Sequence, residues 1–530
     1  MKKRIFSFLL TIIVAFVSLW GRLFYLSAVP VTASTLNCLR TRDIASVRGM
    51  IYDRNLNPLV NLTYKEKLLI LPTAEAMGIL KKSGADDETI KAMSEGYFLI
   101  RDNNLKEKIP PSDSIKVIKS YERYCDSSLV HLIGYTDASD NGICGIEKHF
   151  NEALKSQGGT LQATYSADAT GRILMGEAVE IRSTGYYDYD GLVLTIDSDI
   201  QKISENALNN SNITKGAVIV MDISTSQILA CVSYPQYDRN DLSTYIDSPD
   251  APFINRAFTQ YPVGSVFKVV TAVSAIENNI QLPKFKCNGS ITKSGNTFNC
   301  SDLTGHGYID FDTALSDSCN PYFIELGTNI GAEALLQTSQ SLGFGKATDF
   351  GNGYMTDSGT LPSMDALNSD AAIGNLSFGQ GELTATPVQI ANLFACIGNG
   401  GILNEPSIIY GYTNKNGDFS PSGVANGERA ISEHTCTILK NALMKTTTDG
   451  TGKLAFSSLY ACCSKTATAQ SGQYDENGNE ILYCWFAGFF PAEKPQYVIC
   501  VMKENGVSGG TDCAPVFKAI AEGIVAINLG

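Results

Sequence analysis

Between Tyr261 and Ile276 the chain reads YPVGSVFKVVTAVSAI, in which Val266, Phe267, Val269, Val270, Ala272, Val273, Ala275 and Ile276 leave almost no polar face. Such a pattern predicts a helix buried all round. Its interruptions, Ser265, Lys268, Thr271 and Ser274, fall every third residue. Ser265 and Lys268 therefore stand one turn apart on one side, within side-chain reach of each other. Upstream, LTIDSDIQKISENAL (Leu194 to Leu208) predicts a capped amphipathic helix, and KGAVIVMD and QILACVSYP predict two strands joined by the turn ISTSQ. Strand patterns return near the end in KTATAQ, ILYCWFAGFF and QYVICVMKE, before a closing helix APVFKAIAEGIVAI. Strands at both ends with helices between them imply an α+β plan, one antiparallel sheet covered by helices.

Residues 31–190 have another texture, with short strand-like runs such as VRGMIYDRNLNPLV, turns, and a helical pattern in GIEKHFNEALKS. They read as a mixed α/β pedestal that ends in the run YYDYDG, Tyr186 to Gly191. The expected organisation is a membrane anchor over 1–30, the pedestal over 31–190 and the regular α+β domain over 191–530. The anchor comes from Lys2, Lys3 and Arg4 standing before an uncharged apolar run, Ile5 to Gly21, with Trp20, Arg22 and Tyr25 suited to an interface. The positive-inside rule keeps the N-terminus cytoplasmic and the main body outside. The alternative is a signal peptide cut after Val31-Thr32-Ala33.

Length and charge narrow the function. At 530 residues the chain exceeds one ordinary core. A net charge of −13 argues against nucleic-acid binding. Fourteen cysteines are too few for a disulfide scaffold in so long a chain, and no C-x-x-C or H-E-x-x-H pattern offers a metal site. No metal or other cofactor is expected. Cys287 and Cys300 bracket a turn-rich loop and are candidates for a disulfide.

A lysine in apolar surroundings loses hydration, which lowers its pKa towards the range where a neutral amine accepts a proton. Ser265, near the helix N-terminus after Pro262-Val263-Gly264, is the obvious donor and becomes a candidate nucleophile. S-x-x-K alone is common by chance, and by itself it fits a snorkelling lysine and a capping serine better. Two further stretches, SCN (Ser318 to Asn320) and KTAT (Lys465 to Thr468), follow in order.

With them the chain resembles a penicillin-binding protein, whose S-x-x-K, S-x-N and K-T-G motifs occur in this sequence order. The resemblance extends to RGMIYDRN, HLIGYTD, GICGIEKHF, DATGR, LTIDSDIQ, VMDISTSQILACVSYPQYD, NRAFTQYPVGSVFK, SFGQGELTATPVQIAN and WFAGFFP. RGMIYDRN and the pedestal are similar to the class B, high-molecular-weight, monofunctional members. The resemblance implies a peptidoglycan D,D-transpeptidase that crosslinks stem peptides. Ser265 would attack the penultimate D-Ala carbonyl and Lys268 take its proton. Ser318 would relay a proton to the leaving amine, and Asn320 would bind the substrate amide and hold Lys268. Lys465, with the hydroxyls of Thr466 and Thr468, would receive the terminal carboxylate. The N–H groups of Ser265 and Thr468 would form an oxyanion hole. Implied partners are donor and acceptor stem peptides, β-lactams, the membrane and a SEDS-type membrane glycosyltransferase. The alternatives are a D,D-carboxypeptidase or β-lactamase-type hydrolase, or a non-catalytic β-lactam sensor or scaffold.

Two positions depart from the family pattern. Leu56 stands where glycine usually follows D-R-N, which leaves Asn55 or Asn57 to bear any left-handed turn conformation. Ala467 stands where the third motif usually has glycine, and its methyl is expected on the Lys465 face of the strand, towards the helix bearing Ser265. A rival G-x-S-x-G at GVSGG, Gly506 to Gly510, lacks the histidine that should follow a nucleophile elbow, since the last one is His434.

Overall fold

The structure is a computed structural model that describes residues 2–28, 39–97, 99–103, 111–125, 127–168, 170–174, 179–423 and 427–529. The alternative cleavage after Ala33 lies outside the described residues. An N-terminal helix, Lys2–Ala28, contains the candidate span Arg4–Tyr25, which is long and apolar enough to cross a membrane. Its apolar side chains from Ile5 to Tyr25 are exposed, as a lipid-facing helix requires.

Contacts divide the chain into two units, but not at one linear boundary. The first holds residues 1–47, 63–123 and 158–187, and the second 48–62, 124–157 and 188–530. The chain passes between the units at 47/48, 62/63, 123/124, 157/158 and 187/188. The strand-like VRGMIYDRN run and the GIEKHFNEALKS helices both belong to the second unit. The physical reason is burial: Ile51, Val60, Ile146, Phe150 and Leu154 lie in its main hydrophobic core, and Met50–Tyr52 pairs in parallel with Gly191–Leu194.

The first unit contains two three-stranded sheets. In one, Thr63–Ile70 runs between Leu99–Asp102 and Ile115–Glu122; in the other, Gly159–Ser166 runs between Leu39–Val47 and Glu180–Thr184. Helices Ala74–Lys82 and Asp87–Ser94 begin at Thr73 and Asp86, whose side chains accept from Ala76 N and Thr89 N. Such caps satisfy backbone donors that a helix start would leave free.

In the second unit the main elements, in chain order, are α1 (Ser198–Asn209), β1 (Gly216–Asp222), β2 (Ile228–Tyr234), α2 (Lys268–Glu277), α3 (Asn320–Ile330), α4 (Pro387–Gly398), α5 (Glu433–Thr448), β3 (Cys463–Tyr474), β4 (Glu480–Phe490), β5 (Tyr497–Glu504) and α6 (Ala514–Leu529). The five strands form one sheet in the order β2-β1-β5-β4-β3, antiparallel throughout. Helices pack on the sheet, α4 against β1, β4 and β5, and α6 against β4 and β5. The expected α+β plan is therefore the observed one. Strand β1 is buried from Gly216 to Met221 because both sheet faces are covered.

Leu56 corrects one expectation. It takes the left-handed conformation itself, at φ 63°, rather than passing it to Asn55 or Asn57. The Asp53 carboxylate accepts from Asn55 N, Asn57 N and Asn57 Nδ2 at 2.9, 2.8 and 3.0 Å. Those bonds fix the turn around Leu56 and offset a conformation that costs roughly 1–2 kcal/mol for a residue with a Cβ. The G-x-S-x-G at 506–510 is a turn into α6, with Ser508 Oγ accepting from Thr511 N at 3.2 Å.

Candidate active site

The floor of the site is a close junction between the turn that enters α2 and the edge strand β3. A single 3-10 turn, Gly264–Phe267, leads into α2, and Lys268 through Ala275 are buried without a break. The chain enters this turn under two constraints. Trp485 Nε1 donates to Pro262 O at 2.9 Å, and Gly264 N donates to Gly379 O at 2.9 Å. Gly264 has φ 61°, and a Cβ there would lie 3.0 Å from Ala469 Cβ and 3.1 Å from Thr468 O. At Gly379, φ is 86° and a Cβ would fall 1.8 Å from Gly264 O. Backbone meets backbone here, so neither position has room for a side chain.

The polar stripe predicted for the helix splits into two uses. Thr271 Oγ1 donates to Ser377 O at 2.7 Å, and Ser274 Oγ donates to Ala334 O at 3.2 Å. These hydroxyls fasten α2 to its neighbours. Lys268 Nζ instead reaches Ser318 O at 2.6 Å, Ser318 Oγ at 3.1 Å and Asn320 Oδ1 at 2.6 Å. Ser265 is half-buried, and among the described residues no group is hydrogen-bonded to its hydroxyl. The direct Ser265–Lys268 bond that helix spacing allows is not made, because all of the lysine's reach is spent on the SCN corner.

That corner is itself unusual backbone. Ser318 adopts φ 58°, a left-handed conformation rare for a residue with a Cβ and concentrated at functional sites. It lies between helix Phe311–Ser316 and α3, which begins at Asn320 with Cys319 as its cap. Asn320 Nδ2 donates to Asn299 O at 3.0 Å, which fixes its amide with the oxygen towards Lys268.

From the sheet side, Lys465 Nζ donates to Ser318 Oγ at 2.9 Å and to Thr466 O at 2.9 Å. Both lysines are fully buried, and among the described residues neither meets a carboxylate at ion-pair distance. Burial pulls Lys268 down to about 7, with Cys319 and Cys300 opposing the shift. Lys465 is held well below its usual range, first by burial and then by the charge of Lys268. A hydroxyl between two amines, at least one of which titrates near neutrality, is a path for protons.

Hydrogen bonds thus join Lys268, Ser318, Asn320 and Lys465, and Ser265 stands one turn before Lys268 on the same segment. Thr468 is half-buried next to the Gly264 turn. Thr466 is placed otherwise: it is buried, and its hydroxyl is 2.5 Å from Thr451 Oγ1. It cannot serve a carboxylate without leaving that partner. Thr451, whose N and Oγ1 both donate to Ser316 O at 3.2 Å, is a contributor that sequence reasoning missed. It ties β3 to the SCN corner, and no local motif marks it.

Residues 216–522 match the family model described as the penicillin binding protein transpeptidase domain. The chain belongs to the penicillin-binding protein transpeptidase family. Among curated members it is 30% identical to Stage V sporulation protein D of Bacillus subtilis over 413 residues, an alignment covering 74% of this chain and 61% of that protein's length. It is 27% identical to the peptidoglycan D,D-transpeptidase FtsI of Escherichia coli over 557 residues, covering 97% of this chain and 90% of that one. Among solved structures, penicillin binding protein 3 of Mycobacterium tuberculosis complexed with aztreonam superposes with a TM-score of 0.67 at 22% identity, over 92% of this chain and 97% of that one. The fold is that of the penicillin-binding proteins.

The cysteines depart from expectation. Cys287 and Cys300 are not joined, and every cysteine among the described residues is a free thiol. Both instead face a third cysteine and a histidine, a grouping invisible to a search for closely spaced ligand pairs.

Proposed function

We propose that the protein is a peptidoglycan D,D-transpeptidase acting through a serine acyl-enzyme on Ser265. The observation that carries this reading is the convergence of two buried amines on the Ser318 hydroxyl, one helical turn from an unbonded, half-exposed serine. Neutral Lys268 takes the Ser265 proton as Oγ bonds to the carbonyl carbon of the penultimate D-Ala. Collapse breaks the C–N bond to the terminal D-Ala, and Ser318 returns a proton to the leaving amine, resupplied from the lysines. An acceptor amine from a second strand then displaces Ser265 and forms the crosslink. Lys465 and Thr468 receive the terminal carboxylate, Asn320 the substrate amide, and the N–H groups of Ser265 and Thr468 the oxyanion. Penicillin enters the same path through its strained amide. The names of the curated relatives support this activity. No carboxylate among the described residues is hydrogen-bonded to Lys268, Ser318 or Lys465, so a deacylating base of the hydrolase kind has no candidate there.

The same reading takes the Arg4–Tyr25 span as an uncleaved anchor, with the N-terminus cytoplasmic, the main body outside and a SEDS-type glycosyltransferase as membrane partner. Incubation with labelled penicillin and mapping of the modified peptide tests the mechanism. The label is expected on Ser265 and is lost in Ser265→Ala; undiminished labelling of that variant would overturn the assignment.

A further inference from the structure

Behind the SCN corner the fold collects four metal-ligating side chains that catalysis does not use. Cys287, Cys300, His306 and Cys319 each offer one ligand atom, and these four atoms lie within 4.8 Å of one another. Cys300 Sγ is 3.4 Å from His306 Nδ1 and 4.0 Å from Cys319 Sγ. A tetrahedral ion with bonds of about 2.3 Å to sulfur and about 2.0 Å to nitrogen separates its ligands by roughly 3.5–3.8 Å. The separations of 3.4 and 4.0 Å bracket that spacing, and no pair of ligand atoms is further apart than 4.8 Å. The three cysteines are buried, so the ion's shell is closed to solvent on most sides.

Four elements deliver the ligands. Cys287 ends the strand Phe285–Cys287, which pairs with Gly307–Ile309 beside His306. Cys300 follows the hairpin Ser290–Lys293 and Asn296–Asn299, and its N–H donates to Gly289 O at 2.8 Å. Cys319 comes from the SCN corner itself. In sequence the pattern is C-x12-C-x5-H-x12-C, too widely spaced to be recognised without the fold.

We propose that these four residues bind one zinc ion as a closed structural site. Three thiolates and one neutral imidazole suit zinc better than harder cations, and binding releases the thiol protons to solvent. The site grips the catalytic corner from behind. Cys319 lies between Ser318 and Asn320, and Asn299, the neighbour of Cys300, accepts from the Asn320 amide. A metal here would fix both sides of Asn320 and close an irregular loop of small strands that has little core of its own. A disulfide between Cys300 and Cys319 would leave Cys287 and His306 with no role.

The test is metal content of the full-length chain, purified in detergent without chelators from cells grown with zinc. Elemental analysis is expected to give one zinc per chain. Cobalt exchange should give an intense sulfur-to-cobalt charge-transfer band with tetrahedral ligand-field bands. Cys287→Ser and Cys319→Ser should each lower zinc content at least tenfold. His306→Cys, which keeps four ligands, should retain the ion and shift the cobalt spectrum; it and the parent decide the matter where a serine variant does not fold. Less than a tenth of an equivalent in the parent, a mapped disulfide among these cysteines, or a full equivalent surviving in a folded Cys287→Ser Cys300→Ser double variant would each overturn the proposal. Penicillin labelling of Ser265 is read separately, so failure of the metal site and failure of the transpeptidase mechanism are distinguishable.

Discussion

Arg48 and Lys268 are both cations hidden from water in the same unit, and their surroundings are opposites. Arg48 Nε lies 3.0 Å from Glu147 Oε2, and the carboxylate also accepts from Tyr124 OH at 2.9 Å while Arg48 Nη2 donates to Asn151 Oδ1 at 3.2 Å. Charge meets charge, and every arm of the pair is satisfied. Lys268 and Lys465 have only neutral oxygens within hydrogen-bond reach. A compensated buried ion resists any change of protonation, whereas an uncompensated one is driven to shed its proton. The first arrangement holds a fold together; the second, on the proposed mechanism, stores a base.

The comparison predicts a division of labour between the two places. The largest effect is expected at Lys268. Lys268→Ala should slow penicillin acylation by about 10²–10⁴, the usual worth of a general base, with the folded fraction intact by circular dichroism. The reverse is expected at the ion pair. Arg48→Ala or Glu147→Gln should lower unfolding stability by about 3–5 kcal/mol, because a buried charge loses its opposite charge at 3.0 Å, while acylation per folded molecule stays within about twofold. A denaturant titration run beside a labelling time course separates the two; a large acylation defect in a stable Glu147→Gln protein would erase the contrast.

A pH series sharpens it. Acylation should rise through pH about 7, where Lys268 becomes neutral, and this limb should vanish in Lys268→Ala. Stability has its own sign. The folded-state value is below the ordinary 10.5, so between about 7 and 10.5 the unfolded chain binds the extra proton and stability from this group increases with pH. Below about 7 the full burial penalty applies. Lys268→Met should therefore unfold at a higher temperature than the parent at pH 6, and the difference should shrink towards pH 10.

The smallest effect is expected at Ala467. The register runs unbroken through Lys465↔Ala487, Ala467↔Trp485 and Thr468↔Cys484, and Ala467 is buried in the core without a bulge. The methyl at this position, where the third motif usually has glycine, is accommodated without a break in the strand pairing. Ala467→Gly should change acylation by less than about threefold and lower stability by roughly 0.5–1 kcal/mol, the backbone-entropy cost of a strand glycine.

Much of this was legible in the sequence because the decisive signals are local. The every-third-residue polar stripe marked α2, and short apolar runs with β-branched content on either side of a turn marked β1 and β2. What was not legible depends on distant chain segments meeting. Nothing near Arg48 or Glu147 announces that the segments 48–62 and 124–157 both belong to the second unit. Thr451 is an ordinary threonine until β3 lies against it, and the Thr466 hydroxyl is lost to the site for the same reason. Cys319 hides inside a catalytic motif, and its companions lie 13, 19 and 32 residues upstream. Leu56 shows a subtler limit, since propensity favours an asparagine for left-handed backbone and the Asp53 hydrogen bonds overrule it.

The interlocked glycines under Ser265 set a boundary on drug resistance. On the proposed mechanism a drug acylates Ser265, which follows the Gly264 turn where Gly264 and Gly379 touch through their backbones, and any replacement at either would push the serine, the entrance of α2 and strand β3 apart together. The natural substrate needs that same alignment. Selection by β-lactams therefore has no useful substitution to offer at this hinge, and escape variants should accumulate around the rim of the cleft, where shape can change without moving the nucleophile.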